Sequence, residues 1–210
     1  MKFPQLKLLV LFALAVVAMG CGNNRIAESQ NQARAAEVPA VETPEPNPTR
    51  ELDVPYVPTP EAVVAEMLAM AEVKGDDVLY DLGSGDGRIP ITAAKRFGTR
   101  GVGIDLNPIR VKEANENAEE EGVTDKVKFI EGDIFEEDFS EATVVTLYLL
   151  PQVNLKLKDR ILAMKPGTRV VSHNYDMGTW AAEKTKTVKV NGIDHYVYFW
   201  RVPEKKEGGQ

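Results

Sequence analysis

The sequence predicts a doubly wound α/β fold whose open, mostly parallel sheet is closed by a C-terminal β-hairpin. Three observations carry that expectation. The apolar stretch Val78-Leu79-Tyr80 runs into Asp81-Leu82-Gly83-Ser84-Gly85-Asp86-Gly87-Arg88, which reads as a strand, a glycine-rich turn and the start of a helix. A second short strand, Gly101-Val102-Gly103-Ile104-Asp105, ends in an acid at the distance where open nucleotide-binding sheets place one. Beyond residue 184 the alternation of strand and helix patterns gives way to two strand-like runs joined by Asn191-Gly192, the dipeptide of a tight hairpin turn.

Each element has its own signal. Pro60 follows Thr59 at a helix start, and Val63, Val64, Met67, Leu68 and Ala71 recur at helical spacing until Gly75 ends the segment. The first strand spans 77–82, and a helix from Arg88 to Phe97 is stopped by Gly98. The strand at 101–105 and a helix from Pro108 to Glu121, stopped by Gly122, repeat the unit. A third strand, Lys126 to Ile130, leads into Gly132-Asp133-Ile134-Phe135. Residues 142–150 form an almost continuous apolar run, the pattern of a central parallel strand covered on both faces. A helix from Pro151 to Met164 follows, Pro166-Gly167 makes a turn, and 168–172 form the fifth strand. The hairpin pairs 185–190 with 195–202, which suits a seven-stranded sheet whose last strand inserts antiparallel.

The carboxyl rim of such a sheet binds ligands. Glycines in the first turn let backbone come close to a ligand, and the helix start offers unpaired N–H groups. A dinucleotide fold would place a glycine at position 88, where Arg88 stands, so a nicotinamide oxidoreductase ranks last. Asp81 and Asp86 put negative charge beside the turn, which repels pyrophosphate and suits a cationic ligand. Asp105 is placed to accept from ribose hydroxyls, and Asp133 from an adenine amino group while Ile134 packs on the ring.

These residues resemble the class I S-adenosylmethionine-dependent methyltransferases, from about Tyr56 to Val202. The resemblance implies a Rossmann-like methyltransferase fold with S-adenosyl-L-methionine as cofactor. Gly83, Gly85 and Gly87 would border its methionine part, Asp105 its ribose, and Asp133 with Ile134 its adenine. Asp81, Ser84 and Leu106 are further candidate contacts. A narrower likeness rests on Tyr56-Val57-Pro58-Thr59-Pro60, the Arg88-containing turn, Gly103-Ile104-Asp105-Leu106-Asn107-Pro108 and Leu147-Tyr148-Leu149-Leu150-Pro151. It points to a group that includes lysine methyltransferases of the ATP synthase c subunit, in which the segment before the first strand closes over the cofactor. Tyr56 and Thr59 are therefore candidate contacts too.

Methyl transfer from a sulfonium is a direct displacement, for which alignment and exclusion of water suffice, so neither a metal nor a catalytic triad is expected. Tyr148, His173 and Asp176, at the ends of the fourth and fifth strands, are the candidate catalytic residues; Tyr148 would orient an amine, and His173 or Asp176 would accept a proton or hold substrate. Loop and core roles compete for all three. His195 reads as structural, on an edge strand, while Trp180 and Trp200 are candidates to line a substrate groove, with core packing favoured for Trp200 by the strand pattern. The expected acceptor is a protein lysine or similar amine. A small-molecule methyltransferase and a non-catalytic S-adenosylmethionine or nucleoside sensor are the alternatives.

The chain has 210 residues, 43% hydrophobic, with a formal net charge of -7. That composition supplies one core, and the charge argues against a nucleic-acid partner. Residues 1–21 read as a leader: a short positive start, an apolar run from Leu8 to Met19 that is too short to span a membrane, and the only cysteine, Cys21. It resembles a bacterial lipoprotein signal, which implies lipidation at Cys21 and a membrane-anchored domain facing the periplasm or exterior, or a cytoplasmic one if the leader does not export. Residues 22–52, rich in Asn, Gln, Ala, Glu and Pro, read as a disordered tether. The methyltransferase domain is expected at 53–203 and a tail at 204–210. Because the cofactor is made in the cytosol, export leaves three readings open: an unseen cofactor supply, an anchor without export, or a fold kept only for binding. Oligomeric state is open as well.

Overall fold

The computed structural model describes residues 56–204. The leader, Cys21 and the tether lie outside the described residues. Among those described, no helix is long and apolar enough to cross a membrane.

In chain order the elements are α1 (Glu61–Met70), β1 (Val78–Leu82), α2 (Arg88–Phe97), β2 (Arg100–Asp105), α3 (Pro108–Glu120), β3 (Val127–Glu131), β4 (Val144–Leu147), α4 (Pro151–Leu162), β5 (Arg169–His173), β6 (Lys184–Val190) and β7 (Ile193–Arg201). They build one seven-stranded sheet in the order β3-β2-β1-β4-β5-β7-β6. Strands β1 to β5 pair in parallel, and β7 lies antiparallel to both of its neighbours. The strand order reverses beside β1, where β2 leads one way and β4 the other, and it is at such a point that the loops part to leave a crevice.

Alternate strand residues feed two cores, and a third apolar cluster joins Val127 and Phe129 of β3 to Ala114 and Ala118 of α3 and Ile91 and Ala94 of α2. On one face Tyr80, Leu82, Val145, Leu147, Val170 and Trp200 pack with Val153, Leu157 and Ile161 of α4. On the other, Leu79, Val144, Val171, Val197 and Phe199 meet Val63, Val64, Met67 and Leu68 of α1 and Ile89 and Ala93 of α2. Each fully buried aliphatic side chain of this kind contributes about 1.5–3 kcal/mol.

Local chemistry sets the helix ends. In α3, Pro108 occupies the first turn, and the Asn107 side chain caps the helix by accepting from the Ile109 N–H at 2.9 Å. Gly87 precedes α2 at φ 77°, and a Cβ there would stand 2.5 Å from Phe129 Cζ and 2.9 Å from Ala114 Cβ. Only glycine fits that left-handed, crowded position.

Several features depart from expectation. The fourth strand keeps only Val144–Leu147 of the 142–150 run, because Leu149 and Leu150 turn toward the crevice instead of continuing the ladder. The fifth extends one residue further, to His173. His195 is not on an edge strand: β7 is flanked on both sides, and β6, with Lys184, Lys186 and Lys189, is the edge. Lysines there discourage pairing with another chain.

Candidate functional site

The principal cleft lies at the carboxyl ends of the parallel strands and is lined from the β1, β2, β3, β4 and β5 ends and from residues 56–59. Following the sheet, Asp133 comes after β3, Asp105 ends β2, Asp81 and the glycine turn belong to β1, and Tyr148 follows β4. The three strand-end acids therefore share one cavity.

The turn after β1 is shaped by positive φ at Gly83 (77°) and Gly85 (53°). A Cβ on Gly83 would stand 2.7 Å from Leu149 Cδ2, and one on Gly85 2.6 Å from Tyr56 Cε2. The loop is bonded to β2, the Gly83 and Ser84 N–H groups donating to the Ile104 carbonyl at 2.8 and 3.0 Å. Asp105 braces it from the other side, accepting from the Gly85 N–H at 2.8 Å through Oδ2 and from the Asn107 N–H at 2.9 Å through Oδ1. Each oxygen keeps lone-pair capacity for a ligand. Asp133 lines the cleft, its Oδ1 accepting from the Phe135 N–H at 2.9 Å, with Ile134 and Leu106 as apolar neighbours.

Asp81 is nearly inaccessible and accepts from Thr146 Oγ1 at 2.6 Å. Burial, reinforced by the charges of Asp105 and Asp86, pushes its carboxyl up to about 7, against the pull of the Thr146 hydroxyl. Asp86 behaves differently from its expected role as a ligand charge. Arg88 Nε donates to both of its oxygens, at 2.9 and 3.0 Å. Burial alone would raise Asp86, but the Arg88 hydrogen bonds and charge overcome it and hold the carboxyl below the usual range. Asp86's charge is therefore taken up by Arg88, and Asp81 is the carboxyl beside the turn that is not engaged by an arginine.

Arg88 has a second duty that its place in the motif does not reveal. Its Nη1 donates to the Thr59 carbonyl at 2.9 Å, tying residues 56–60 down over the glycine turn. Arg110 of α3 stacks its guanidinium 4.5 Å from the centre of the Tyr56 ring. Tyr56 and Thr59 thus form a strap on the cleft, and Arg110 was missed because a helical arginine looks like any other solvated charge.

Gly87, the third glycine of the turn, does not line the cleft; its place is the packing contact at the start of α2. Tyr148 does line it, and burial followed by the neighbouring Tyr175 pushes its hydroxyl above the ordinary range. His173 is fully buried and outside the cleft lining. Its Nδ1 shares a hydrogen bond with Thr59 Oγ1 at 3.2 Å and its Nε2 one with His195 Nδ1 at 2.9 Å. Burial, then the His195 charge, drops His173 to about 4, so it stays neutral near pH 7. Asp176 is outside the lining too and accepts from the Gly178 N–H at 2.9 Å, a turn bond. Trp180 packs on Trp200 with ring centres 5.9 Å apart, and its carbonyl accepts from Trp200 Nε1 at 2.8 Å, so it belongs to the core edge.

The donor set fits S-adenosylmethionine. Ser84 Oγ is buried with no partner, the carboxylates supply acceptors for ammonium, ribose and amino groups, and the glycines remove side chains where a ligand must approach. A strap, a glycine turn and three strand-end acids around one cleft define a class: S-adenosylmethionine-dependent methyltransferases of Rossmann-like fold.

Comparison with known proteins narrows it. Residues 81–184 match the model of the ANTKMT methyltransferase domain. A protein-lysine N-methyltransferase of Saccharolobus islandicus is 48% identical over 148 residues, covering 70% of this chain and 92% of that protein. The human lysine N-methyltransferase of the ATP synthase c subunit is 35% identical over 117 residues, 55% of this chain and 48% of that protein, so the chain spans about half of its length. A solved structure described as an RNA methyltransferase from Salinibacter ruber, in complex with S-adenosyl-L-homocysteine, superposes with a TM-score of 0.67 at 55% identity, covering 73% of this chain and 98% of that one. The chain belongs to the class I S-adenosylmethionine-dependent methyltransferases, in the family that the ANTKMT domain shares with these lysine N-methyltransferases, and it is a methyltransferase enzyme.

Proposed function

We propose that the domain methylates the side-chain amine of a lysine in a protein. The observation that carries this reading is the 48% identity with the archaeal lysine methyltransferase, which covers nearly all of that protein. The cleft supports it. Cofactor contacts fall to Asp133 and Ile134, Asp105 and Leu106, then Ser84, Gly83, Gly85 and Asp81, in the order of strands β3, β2 and β1, with Tyr56 and Thr59 above. S-adenosylmethionine, when bound, supplies a methyl group activated by a positively charged sulfur. The acceptor then enters where the sheet continues past β1, beside Tyr148.

A lysine ammonium must shed its proton before it can act as a nucleophile, and an apolar wall favours the neutral amine by denying the charge its water. Leu149, Leu150 and Val153 make such a wall. Tyr148 holds the amine in line, and the strap keeps bulk water out. His173 keeps the strap in place from beneath instead of accepting the proton.

The test is incubation of the domain with labelled cofactor and lysine-bearing proteins, followed by mapping of the label. Label on lysine supports the reading; label on RNA, under the same conditions, supports the second reading suggested by the name of the Salinibacter ruber structure. The net charge of -7 weighs against that second reading, because a polyanion would meet repulsion. With this function goes the reading of residues 1–21 as a lipoprotein leader that anchors the domain through Cys21. Mass spectrometry of the processed N-terminus tests it, and an unmodified Met1 end would remove it.

A further inference from the structure

The β5 end carries a feature that cofactor binding does not use. Directly after His173, Asn174 adopts a left-handed backbone, φ 63°. That conformation is held from both sides: the Asn174 N–H donates to the Tyr196 carbonyl at 2.7 Å, and its Oδ1 accepts from the Tyr196 N–H at 2.9 Å. The turn delivers Tyr175 into the cleft next to Tyr148, with ring centres 6.3 Å apart and planes within 20°. The His173 ring also packs against Tyr148, 3.8 Å between centres and tilted by 34°, and fixes the tyrosine in place.

Charge around the pair is arranged for a cation. The cleft's two arginines are engaged elsewhere, Arg88 on Asp86 and the Thr59 carbonyl, Arg110 on Tyr56. The imidazole against Tyr148 is neutral. Parallel aromatic faces attract a methylated ammonium more than a bare one, because each added methyl lowers the cost of leaving water while the charge persists.

Resting on the amine-methylation reading, we propose that Tyr148 and Tyr175 form a methylammonium-binding face at the acceptor end of the cleft, which favours lysines that already carry methyl groups. Lysine is thereby carried toward its more highly methylated forms.

The probe is a peptide bearing trimethyl-lysine, compared by calorimetry with the same peptide bearing a neutral hydrocarbon side chain of equal shape, on the full chain saturated with S-adenosylhomocysteine. The charged peptide binds about tenfold more tightly than its neutral twin. Tyr175→Ala abolishes that ratio, and Tyr175→Phe preserves it, since the ring and not the hydroxyl provides the attraction. Unchanged S-adenosylhomocysteine affinity in the variants separates this effect from misfolding. Equal binding of the two peptides, or a ratio untouched by Tyr175→Ala, overturns the proposal. A parallel transfer assay on unmodified lysine peptide keeps the two readings apart: transfer without the charge preference sinks the aromatic face alone, and the preference without transfer sinks lysine methylation alone.

Discussion

Replacement of Asp81 by Asn tests whether a buried acid tuned close to neutrality governs cofactor binding. The Asp81 carboxyl, 3% exposed, titrates at about 7 in the cofactor-free domain instead of at 3.8. Its ionised form is disfavoured by the fold, so this group's contribution to stability is intact below pH about 4 and is lost progressively as pH rises to about 7. The full difference is on the order of 4 kcal/mol at pH 8. Asn keeps an oxygen for the Thr146 hydroxyl and carries no charge, so cofactor-free Asp81→Asn melts several degrees above the parent at pH 8 and no higher at pH about 4. Binding runs the other way. A ligand ammonium requires the ionised carboxylate, and apparent affinity follows the ionised fraction, which grows about twenty-five-fold between pH about 5.5 and 7.5. Over that range an α-amino group, with a pKa of about 7.7–8.0, stays mostly protonated. Calorimetric titration with S-adenosylhomocysteine across that window therefore shows affinity climbing with pH in the parent and nearly flat in Asp81→Asn. A flat parent, an equally steep variant, or a variant that melts lower at pH 8 would refute the reasoning.

His173 acts in the opposite sense: its depressed value of about 4 means that stability is complete above pH about 6.5 and is lost as the solution is acidified toward 4, so His173→Asn flattens that limb of the melting curve. Arg88→Ala frees both Asp86 and the Thr59 carbonyl, and cofactor affinity measured by calorimetry weakens by about tenfold or more. Gly85→Ala, whose Cβ would collide with the Tyr56 ring, loses cofactor affinity out of proportion to its melting temperature. Gly87→Ala does the reverse, lowering thermal stability by about 1–3 kcal/mol through overpacking against Phe129 and Ala114, with little change in affinity once folded.

Much of this architecture was legible because its signals are local. Gly98 closes α2 at φ 74°, Asn107-Pro108 opens α3, and Asn191-Gly192 turns the hairpin, each through chemistry confined to a few adjacent residues. The strand-end acids were readable for the same reason, since a carboxylate at the end of an apolar run can be located without knowing its neighbours. What escaped were facts of pairing across the chain. Whether Asp86 serves a ligand or Arg88 depends on a side-chain conformation; whether His173 reaches the cleft depends on which face of β5 it occupies, opposite α1. Odd and even positions along that strand serve different faces, and the histidine falls with Val171 on the face toward α1. Tyr175 depends on a single left-handed residue, which a sequence containing Asn permits without requiring.

The seat of β7 between β5 and β6 has a temporal corollary. Its Phe199 and Trp200 are wholly enclosed, one in each of the two cores, and it pairs with β5 over residues 197–201 and with β6 over residues 193–199. A ribosome making this polypeptide delivers that strand last of the seven in the sheet, so both cores stay incomplete until residue 201 or so has emerged. Until then the nascent chain resembles an arch awaiting its keystone, and a protein cut short before Ile193 would expose the flank of β5 to whatever strand came by.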